Sequence, residues 1–365
     1  MTEIIKVSGQ SHWQNFYNVP QHIYSRDPLW TPLPRERERH MFNPQANPLL
    51  RHVHPECFLA MEGKRPVGRI AAITDDLLAD KRVGLFGCFE SVNRPEVARG
   101  LIQAACQSLL QRGKSLVQGP ATLNTTQQVG LLVKGFDSPP QSMMPYNPPY
   151  YEKLLAENGF SQLLDLYSYL WRPEFTKERH KLKAVAKRAS RIPGLQIRPI
   201  NLHDPWGEGK KLAGILNESM TNQWGYVPMD QQEAAHFLAG LKDYTPPEMV
   251  TFCEVENKQV GVCLMMPDLG PQMRAARRSG FLMPLLGGGR PASLRVGVLA
   301  VLPEYRRRGV VALLIDRAIE TILKKGYRQA ELSLIMDTNQ NMNSIVTSAV
   351  GSKVYKTFRV YQKTL

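Results

Sequence analysis

The chain has little of what staples, metals or membranes demand. Its five cysteines, Cys57, Cys88, Cys106, Cys253 and Cys263, form an odd set without a Cys-x-x-Cys pair. That excludes a disulfide framework or a zinc knuckle and fits a reducing compartment. The eight histidines are scattered, and His52 and His54, the closest pair, have no third ligand at zinc spacing. No metal site is expected. The first residues, Met1 to Lys6, lack an apolar core of signal-peptide length. No apolar run approaches the roughly 20 residues of a spanning helix. Neither a Gly-x-Ser-x-Gly elbow nor a Walker loop is present, so serine-hydrolase and P-loop chemistry have no support. Glycine and proline, 27 of each in 365 residues, are too sparse for a fibrous or disordered chain. The expectation is a soluble, cytoplasmic protein.

What is present is a globular balance, 43% hydrophobic and 21% charged, with a net charge of +14 that suits acidic partners. The length suits two domains, and the sequence repeats itself. Arg82-Val83-Gly84-Leu85 resembles Arg295-Val296-Gly297-Val298, and the offset of 213 recurs between Gly113 and Gly326. Leu101, Ile102, Ala105 and Leu109 recur at helical spacing in the first half, as do Val311, Leu314, Ile315, Ala318, Ile319 and Ile322 in the second. Lys64-Arg65-Pro66-Val67-Gly68 and Lys258-Gln259-Val260-Gly261 are polar turns between strand-like runs, here offset by 193. The second half therefore carries about 20 extra residues, within 268–294. Each half reads as hairpin, strand, helix, strand, a βαβ unit inside a mixed α/β sheet. The expected division is 1–171, a basic linker at 172–198 and 199–365. The linker crowds Lys177, Arg179, Lys181, Lys183, Lys187, Arg188 and Arg191 into a helix-like stretch bounded by Pro173 and Pro193.

The sharpest chemistry lies at Val298 to Leu313. A buried strand ends at Pro303, a basic turn follows, and a helix begins near Gly309. A helix start offers unpaired N–H groups and the positive end of its dipole. Gly309 removes a side chain where a phosphate needs close approach. Arg306, Arg307 and Arg308 add fork-shaped donors. The arrangement suits a pyrophosphate.

Here the sequence resembles the GNAT family of acyl-CoA-dependent N-acyltransferases. The family's loop, Arg/Gln-x-x-Gly-x-Gly/Ala after a strand, is matched by Arg306-Arg307-Arg308-Gly309-Val310-Val311, except that Val311 stands where Gly or Ala is usual. Glu331 to Ile335, Asn339 to Val350 and Lys353 to Lys363 resemble the strand, helix and closing strand that follow. The likeness covers roughly 205–365, and the first half is a weaker copy, so the whole resembles a tandem GNAT protein with two GNAT-like lobes. The resemblance implies acyl-CoA, most simply acetyl-CoA, as co-substrate. Its pantetheine arm would pair with the main chain of Leu299, Ala300 and Val301, and an amine would attack directly. At the 213 offset the first half has Asn93, Arg94, Pro95, Glu96, Val97 and Ala98 in place of the loop, with no glycine. One CoA site is expected, in the second half, the first half being structural or acceptor-binding.

The resemblance also nominates side chains. Glu331 is the first choice for general base, with an exposed strand-end carboxylate as the alternative. Many family members place a general-acid Tyr where this chain has Val346, so Tyr305, Tyr355 and Tyr361 are the fallbacks, Tyr355 retained, and each is also a candidate packing residue. Asn339 either touches the cofactor or caps a helix. Trp224 and Tyr226 stand in the loop that walls the acceptor pocket in this family. Asn147 and Tyr150, in a rigid Pro-rich turn, are candidates to line an acceptor site or merely to seat a helix. In the extra segment, Arg274, Arg277 and Arg278, the apolar Phe281 to Leu286 and Gly287 to Gly289 suit a mobile tethered loop, a cover over a lipid-like acceptor or a peripheral contact with an anionic membrane. The leading function is an N-acyltransferase acting on a small-molecule or peptide amine. The alternatives are a non-catalytic CoA-binding regulator or scaffold, and a nucleic-acid-binding protein, against which stand the spread of the charge and the lack of a helix-turn-helix, RRM or KH signature.

Overall fold

The computed structural model describes residues 2–175, 179–279 and 291–365. They divide into two compact units: unit 1 takes the described residues of 1–166, 272–285 and 356–365, and unit 2 those of 167–271 and 286–355. This differs from a contiguous division at 171 and 199. The last ten residues belong to unit 1, and 179–198 form structure within unit 2.

In unit 1, β1 (Glu3–Lys6) leads into α1 (Gly9–Ile23) and the short α2 (Arg35–Met41). The hairpin β2 (Val53–Glu62) and β3 (Arg65–Asp75) follows, then β4 (Val83–Ser91), α3 (Pro95–Gln111) and β5 (Leu116–Gly119). After these come β6 (Leu131–Lys134), α4 (Tyr151–Glu157) and the start of β7 (Ser161–Trp171). The sheet runs β1-β2-β3-β4-β5 and is closed by the chain's last strand, β13 (Lys353–Thr364), which also pairs with β6. β4 and β5 are parallel, as a βαβ unit requires. The repeat of apolar residues in α3 becomes a buried stripe, Val97, Ala98, Leu101, Ile102, Ala105 and Leu109, against the sheet. Burying such a stripe is the main source of stability for a helix of this length.

Unit 2 follows the same script. Its elements are the end of β7, α5 (Arg179–Ala189), β8 (Leu195–Pro199), α6 (Pro205–Ser219), α7 (Gln231–Ala239), the hairpin β9 (Val250–Val255) and β10 (Lys258–Pro267), β11 (Ser293–Val301), α9 (Val310–Lys324) and β12 (Gln329–Met336). A helix α10 (Gln340–Ser344) continues as a π turn over Ile345–Ala349. Between β10 and β11, α8 (Gly270–Ser279) starts in unit 2 and passes into unit 1. The strand order is β7-β12-β11-β10-β9-β8, with β11 and β12 parallel. Local chemistry sets the boundaries. Asp230 and Glu233 form a reciprocal cap on α7, and Asp204 caps α6 ahead of Pro205. α9 buries Leu314, Ile315, Ala318, Ile319 and Ile322 against the sheet.

Of the extra segment, Phe281 to Leu286 and Gly287 to Gly289 lie outside the described residues, as does Lys177 in the basic stretch. Arg274 and Arg277 are engaged within unit 1. Arg277 donates to the carbonyls of Tyr24, Ser25 and Asp27 and lies 4.9 Å over the Trp30 ring. Arg274 donates to Thr31 Oγ1 at 2.7 Å.

Candidate functional site

The site of unit 2 is built by a strand that leaves its neighbour. β11 pairs with β12 only from Ser293 opposite Gln329 to Val296 opposite Leu332. On its other edge β11 stays paired with β10 through Val301, opposite Gly261. Against β10, Leu264 faces Val298 and Met265 faces Val296, so Gly297 is an extra residue, a bulge that bends the strand. Beyond it the β12-facing backbone of Val298, Leu299, Ala300 and Val301 is free of ladder bonds to β12. Val298 and Leu299 are half-buried, Ala300 and Val301 buried. The opposite wall, Leu334 to Met336, is half-buried. An extended chain can add itself to such an edge by main-chain hydrogen bonds.

At the end of β11 a single turn at Pro303–Tyr305 passes into the Arg306 to Gly309 loop. Gly309 is the N-cap of α9, with φ 83° and ψ 1°. It needs no side chain for two reasons. The left-handed backbone disfavours one, and a Cβ there would sit 3.1 Å from Ala189 Cβ and 3.2 Å from the Val185 carbonyl oxygen, both on α5. Close phosphate approach was the reason expected from sequence, and packing against α5 is a second. The first turn of α9 leaves N–H donors without helical acceptors, with Val310 buried and Val311 half-buried. Arg306 bonds the Val301 carbonyl at 3.3 Å and the Ser219 carbonyl at 2.8 Å, tying the loop to the end of α6. Arg308 lies 5.4 Å over Tyr305, and Arg307 has φ 59°. All three arginines are exposed.

Where pairing between β11 and β12 ceases, a polar cluster sits in the sheet. Glu331 is fully buried. One of its carboxylate oxygens accepts from Ser333 Oγ at 2.6 Å, the other from the Tyr355 hydroxyl. Arg295, in register with Glu331 on the neighbouring strand, donates to Ser333 Oγ at 2.9 Å. Burial works against the charge on Arg295 and lowers its pKa, while the Glu331 carboxylate supports it. The two residues nominated separately, Glu331 and Tyr355, are thus hydrogen-bonded partners. Ser333 and Arg295 were not nominated. Ser333 had a signal, since i and i+2 on a strand share a face. Arg295 had none beyond its place in the repeat.

The other nominated residues fall as follows. Asn339 caps α10, its Oδ1 accepting from Met342 N at 3.2 Å. Val346 is buried in the core, and Tyr361 donates to Glu152 in unit 1. Tyr226, half-buried, donates to Asn217, which also holds both backbone groups of Met229. Trp224 shares that loop, which follows the Ser219 carbonyl held by Arg306. Asn147 and Tyr150 have structural tasks in unit 1. The Asn147 amide pairs with both backbone groups of Leu132 at 2.7 and 3.1 Å, and Tyr150 donates to the Ser91 carbonyl at 2.8 Å.

In unit 1 the corresponding gap is filled by the chain itself. β4 pairs with β5 only through Leu85 opposite Gln118, and β4 bulges near Cys88, where φ is 50°. Beyond that point Ala121 N donates to the Phe86 carbonyl at 2.9 Å, and the Ala121 carbonyl occupies the place a Gly87 side chain would take. α3 begins with Pro95 and Glu96. Elsewhere in unit 1, Glu90 is held by the hydroxyls of Tyr24 and Tyr151 at 2.8 and 2.7 Å, and burial raises its pKa to about 7, with Arg69 opposing.

Among the described residues no group of three or more His, Cys, Asp or Glu is placed to hold a metal, and no helix is long and apolar enough to cross a membrane.

Comparison with known proteins is consistent with this layout. Residues 210–345 match the family model described as Acetyltransferase (GNAT) family. The chain is 30% identical over its full length to Protein YghO of Escherichia coli K12, covering 98% of that protein. It is 29% identical, over 99% of its length and 97% of the relative's, to the Bacterial ceramide synthase of Caulobacter vibrioides. A solved tandem GNAT protein from the clavulanic acid biosynthesis pathway superposes with a TM-score of 0.61 at 12% identity, over 100% of this chain and 98% of that one.

Proposed function

The chain belongs to the GNAT acetyltransferase family as a tandem member, and on that premise we propose that unit 2 transfers an acyl group from acyl-CoA to an amine. The observation that carries the proposal is the end of β11–β12 pairing at Val296 and Leu332 just ahead of a glycine-capped helix. In this reading Leu299, Ala300 and Val301 pair with the pantetheine arm. The first turn of α9, with Arg306, Arg307 and Arg308, holds the diphosphate by its free N–H groups and positive dipole end. The N–H groups along the open edge polarise the thioester carbonyl. The amine nitrogen attacks the carbonyl carbon, the C–N bond forms, the C–S bond breaks, and the thiolate leaves. The proton shed by the amine passes by way of Tyr355 to Glu331, while Ser333 and Arg295 position that carboxylate. Holding both reactants in one cleft supplies much of the rate without a covalent enzyme intermediate. The loop bearing Trp224 and Tyr226 walls the acceptor.

The ceramide synthase relative directs the choice of acceptor. Ceramide formation joins a long acyl chain to the amine of a long-chain amino alcohol, so a long acyl-CoA and a long-chain base are favoured over acetyl transfer. The test is to incubate the protein with acyl-CoA of two to sixteen carbons and a panel of amines that includes such a base. Free thiol and amide are then measured together. One thiol released per amide formed supports the proposal. No amide with any donor and any amine refutes it.

A further inference from the structure

Positive charge crowds beside the loop at α9. Residues 179–191 contain six Lys and Arg and no acidic residue. Lys181, Lys183, Lys187, Arg188 and Arg191 are exposed, as are Arg306, Arg307 and Arg308. Arg179 faces Asp316 at 3.6 Å. Among the described residues Lys183, Lys187, Arg188, Arg191 and Arg307 join no ion pair. Crowding like charges without counter-charges raises the energy of the fold, so the arrangement suits a polyanionic partner.

Packing fixes which way this charge faces. Leu182, Ala186 and Ala189 of α5 are buried, with Val185 and Ala189 beside Gly309 and Arg179 beside Asp316. α5 therefore runs antiparallel to α9 and brings its carbonyl end to the first turn of α9, where Lys187 and Arg188 offset that partial negative charge. The flank of the loop facing the missing Gly309 side chain is filled by α5. A donor whose phosphate rests on α9 and extends along this flank meets a cationic helix rather than open solvent. Toward the other end of α9 lies an open groove of about 820 Å³, lined by Lys183 of α5, Arg317 and Lys324 of α9 and Ile197 of β8 together with Glu248 and Glu320, which pair with Lys325 and Arg317.

We infer that α5 and the Arg306 to Arg308 loop form a docking surface for an acidic carrier protein that presents the acyl group as a phosphopantetheine thioester. The inference rests on the proposed acyl transfer and names the source of its donor. A carrier-bound arm has one phosphate at its base and continues into protein, whose acidic side chains answer the exposed lysines and arginines. The amine forms its C–N bond, the C–S bond of the carrier thioester breaks, the carrier departs as thiolate, and the proton the amine gives up passes by way of Tyr355 to Glu331. Charge complementarity of this kind speeds encounter and selects partners, and salt weakens it.

The test compares three donors with one acceptor amine: acyl-CoA, acyl-phosphopantetheine and an acidic bacterial acyl carrier protein. The full chain is compared with a triple variant, Lys183→Glu, Lys187→Glu and Arg188→Glu, and with its Gln counterpart as the milder change. The expected result is a tenfold or greater rise in KM for the acylated carrier in the Glu variant. Its kcat should stay within twofold, any rise in its KM for acyl-phosphopantetheine, which meets only the near end of α5, should be at least fivefold smaller than that for the carrier, and carrier lacking the arm should inhibit only the unaltered protein. The inference is overturned if the small donors turn over and the carrier does not, or if the Glu variant uses the carrier as well as the parent does. It is equally overturned if apo-carrier fails to inhibit while a DNA duplex or phosphatidylglycerol vesicles bind through these residues. Absence of product with all three donors instead refutes the acyl-transfer reading itself.

Discussion

Replacing Gly309 with alanine separates the two reasons for a glycine ahead of α9. An L-residue held at the Gly309 φ of 83° costs about 1–2 kcal/mol. The added methyl would also sit 3.1 Å from Ala189 Cβ and 3.2 Å from the Val185 carbonyl oxygen, atoms held on a packed helix. Overpacking adds about 1 kcal/mol, and the stiffer unfolded chain returns about 0.5 kcal/mol. The expected net loss is about 2 kcal/mol, a fall in Tm of about 4–8 °C for a unit of this size. Gly214, inside α6 with nothing within 4 Å of its would-be Cβ, is the control. There the same substitution should stabilise by about 0.8 kcal/mol through helix propensity alone. Urea and thermal unfolding of both variants, without any ligand, measure the contrast. Ala189→Gly costs stability by itself, but because the two sites touch, the double variant should be about 0.5–1 kcal/mol more stable than the sum of the two single changes. A Gly309→Ala protein as stable as its parent would refute the packing account and leave phosphate approach as the only reason for the glycine.

Other expectations follow from single contacts. Glu331→Gln should lower turnover about 100-fold or more if that carboxylate takes the proton, and Tyr355→Phe should cost about 1–3 kcal/mol of stability by leaving a buried carboxylate oxygen without its donor; amide formation and urea unfolding check the two. Burial raises the Glu90 pKa from 4.5 to about 7 in the fold. A carboxyl with a raised folded pKa stabilises while protonated, so this contribution is complete below about pH 4.5 and is lost as pH rises through about 7. The loss is of order 3 kcal/mol, and Glu90→Gln should flatten the dependence of unit 1 unfolding between pH 4.5 and 8. Arg277→Ala removes donors to four carbonyls, of Tyr24, Ser25, Asp27 and Trp30, and a cation–π contact; a loss of about 2 kcal/mol is expected, with faster amide exchange at 24–31.

Much of this architecture was legible because it is local. The stripe in α9 and its counterpart in α3 are periodic in sequence, and the repeat at Gly84 and Gly297 marks equivalent strands in the two units. The loop at Arg306 to Gly309 announced a strand-to-helix turn by composition alone. Contacts distant in sequence were not legible. Which sheet takes the final strand depends on an open edge beside β5, and nothing in Lys353 to Thr364 names that edge. The Asn147 amide pairs with Leu132, fifteen residues earlier, a contact that no local pattern announces. The basic stretch at 179–191 reads as a helix-like linker from its charge and bounding prolines, and α5 forms there with Leu182, Ala186 and Ala189, at i, i+4, i+7 spacing, as its buried stripe.

The two units also explain why one script yields one open edge. In both, a bulge turns the fourth strand of the unit away from its parallel neighbour, and a bent strand leaves backbone groups that must find partners. Unit 1 satisfies Phe86 internally, because the chain after β5 turns back and Ala121 bonds its carbonyl, with Gly87 leaving room for the approach. Its next helix then begins with a proline, which has no N–H, and a glutamate, which repels an anion. Unit 2 has none of these substitutions: β12 continues past Leu332 without closing on β11, and α9 begins on a glycine behind three arginines. An edge left open there exchanges some stability for a place where an extended ligand can supply the missing hydrogen bonds. The duplicated sheet thus separates two tasks, since unit 1 keeps the bent strand as a packed core and unit 2 keeps it as an unfilled one.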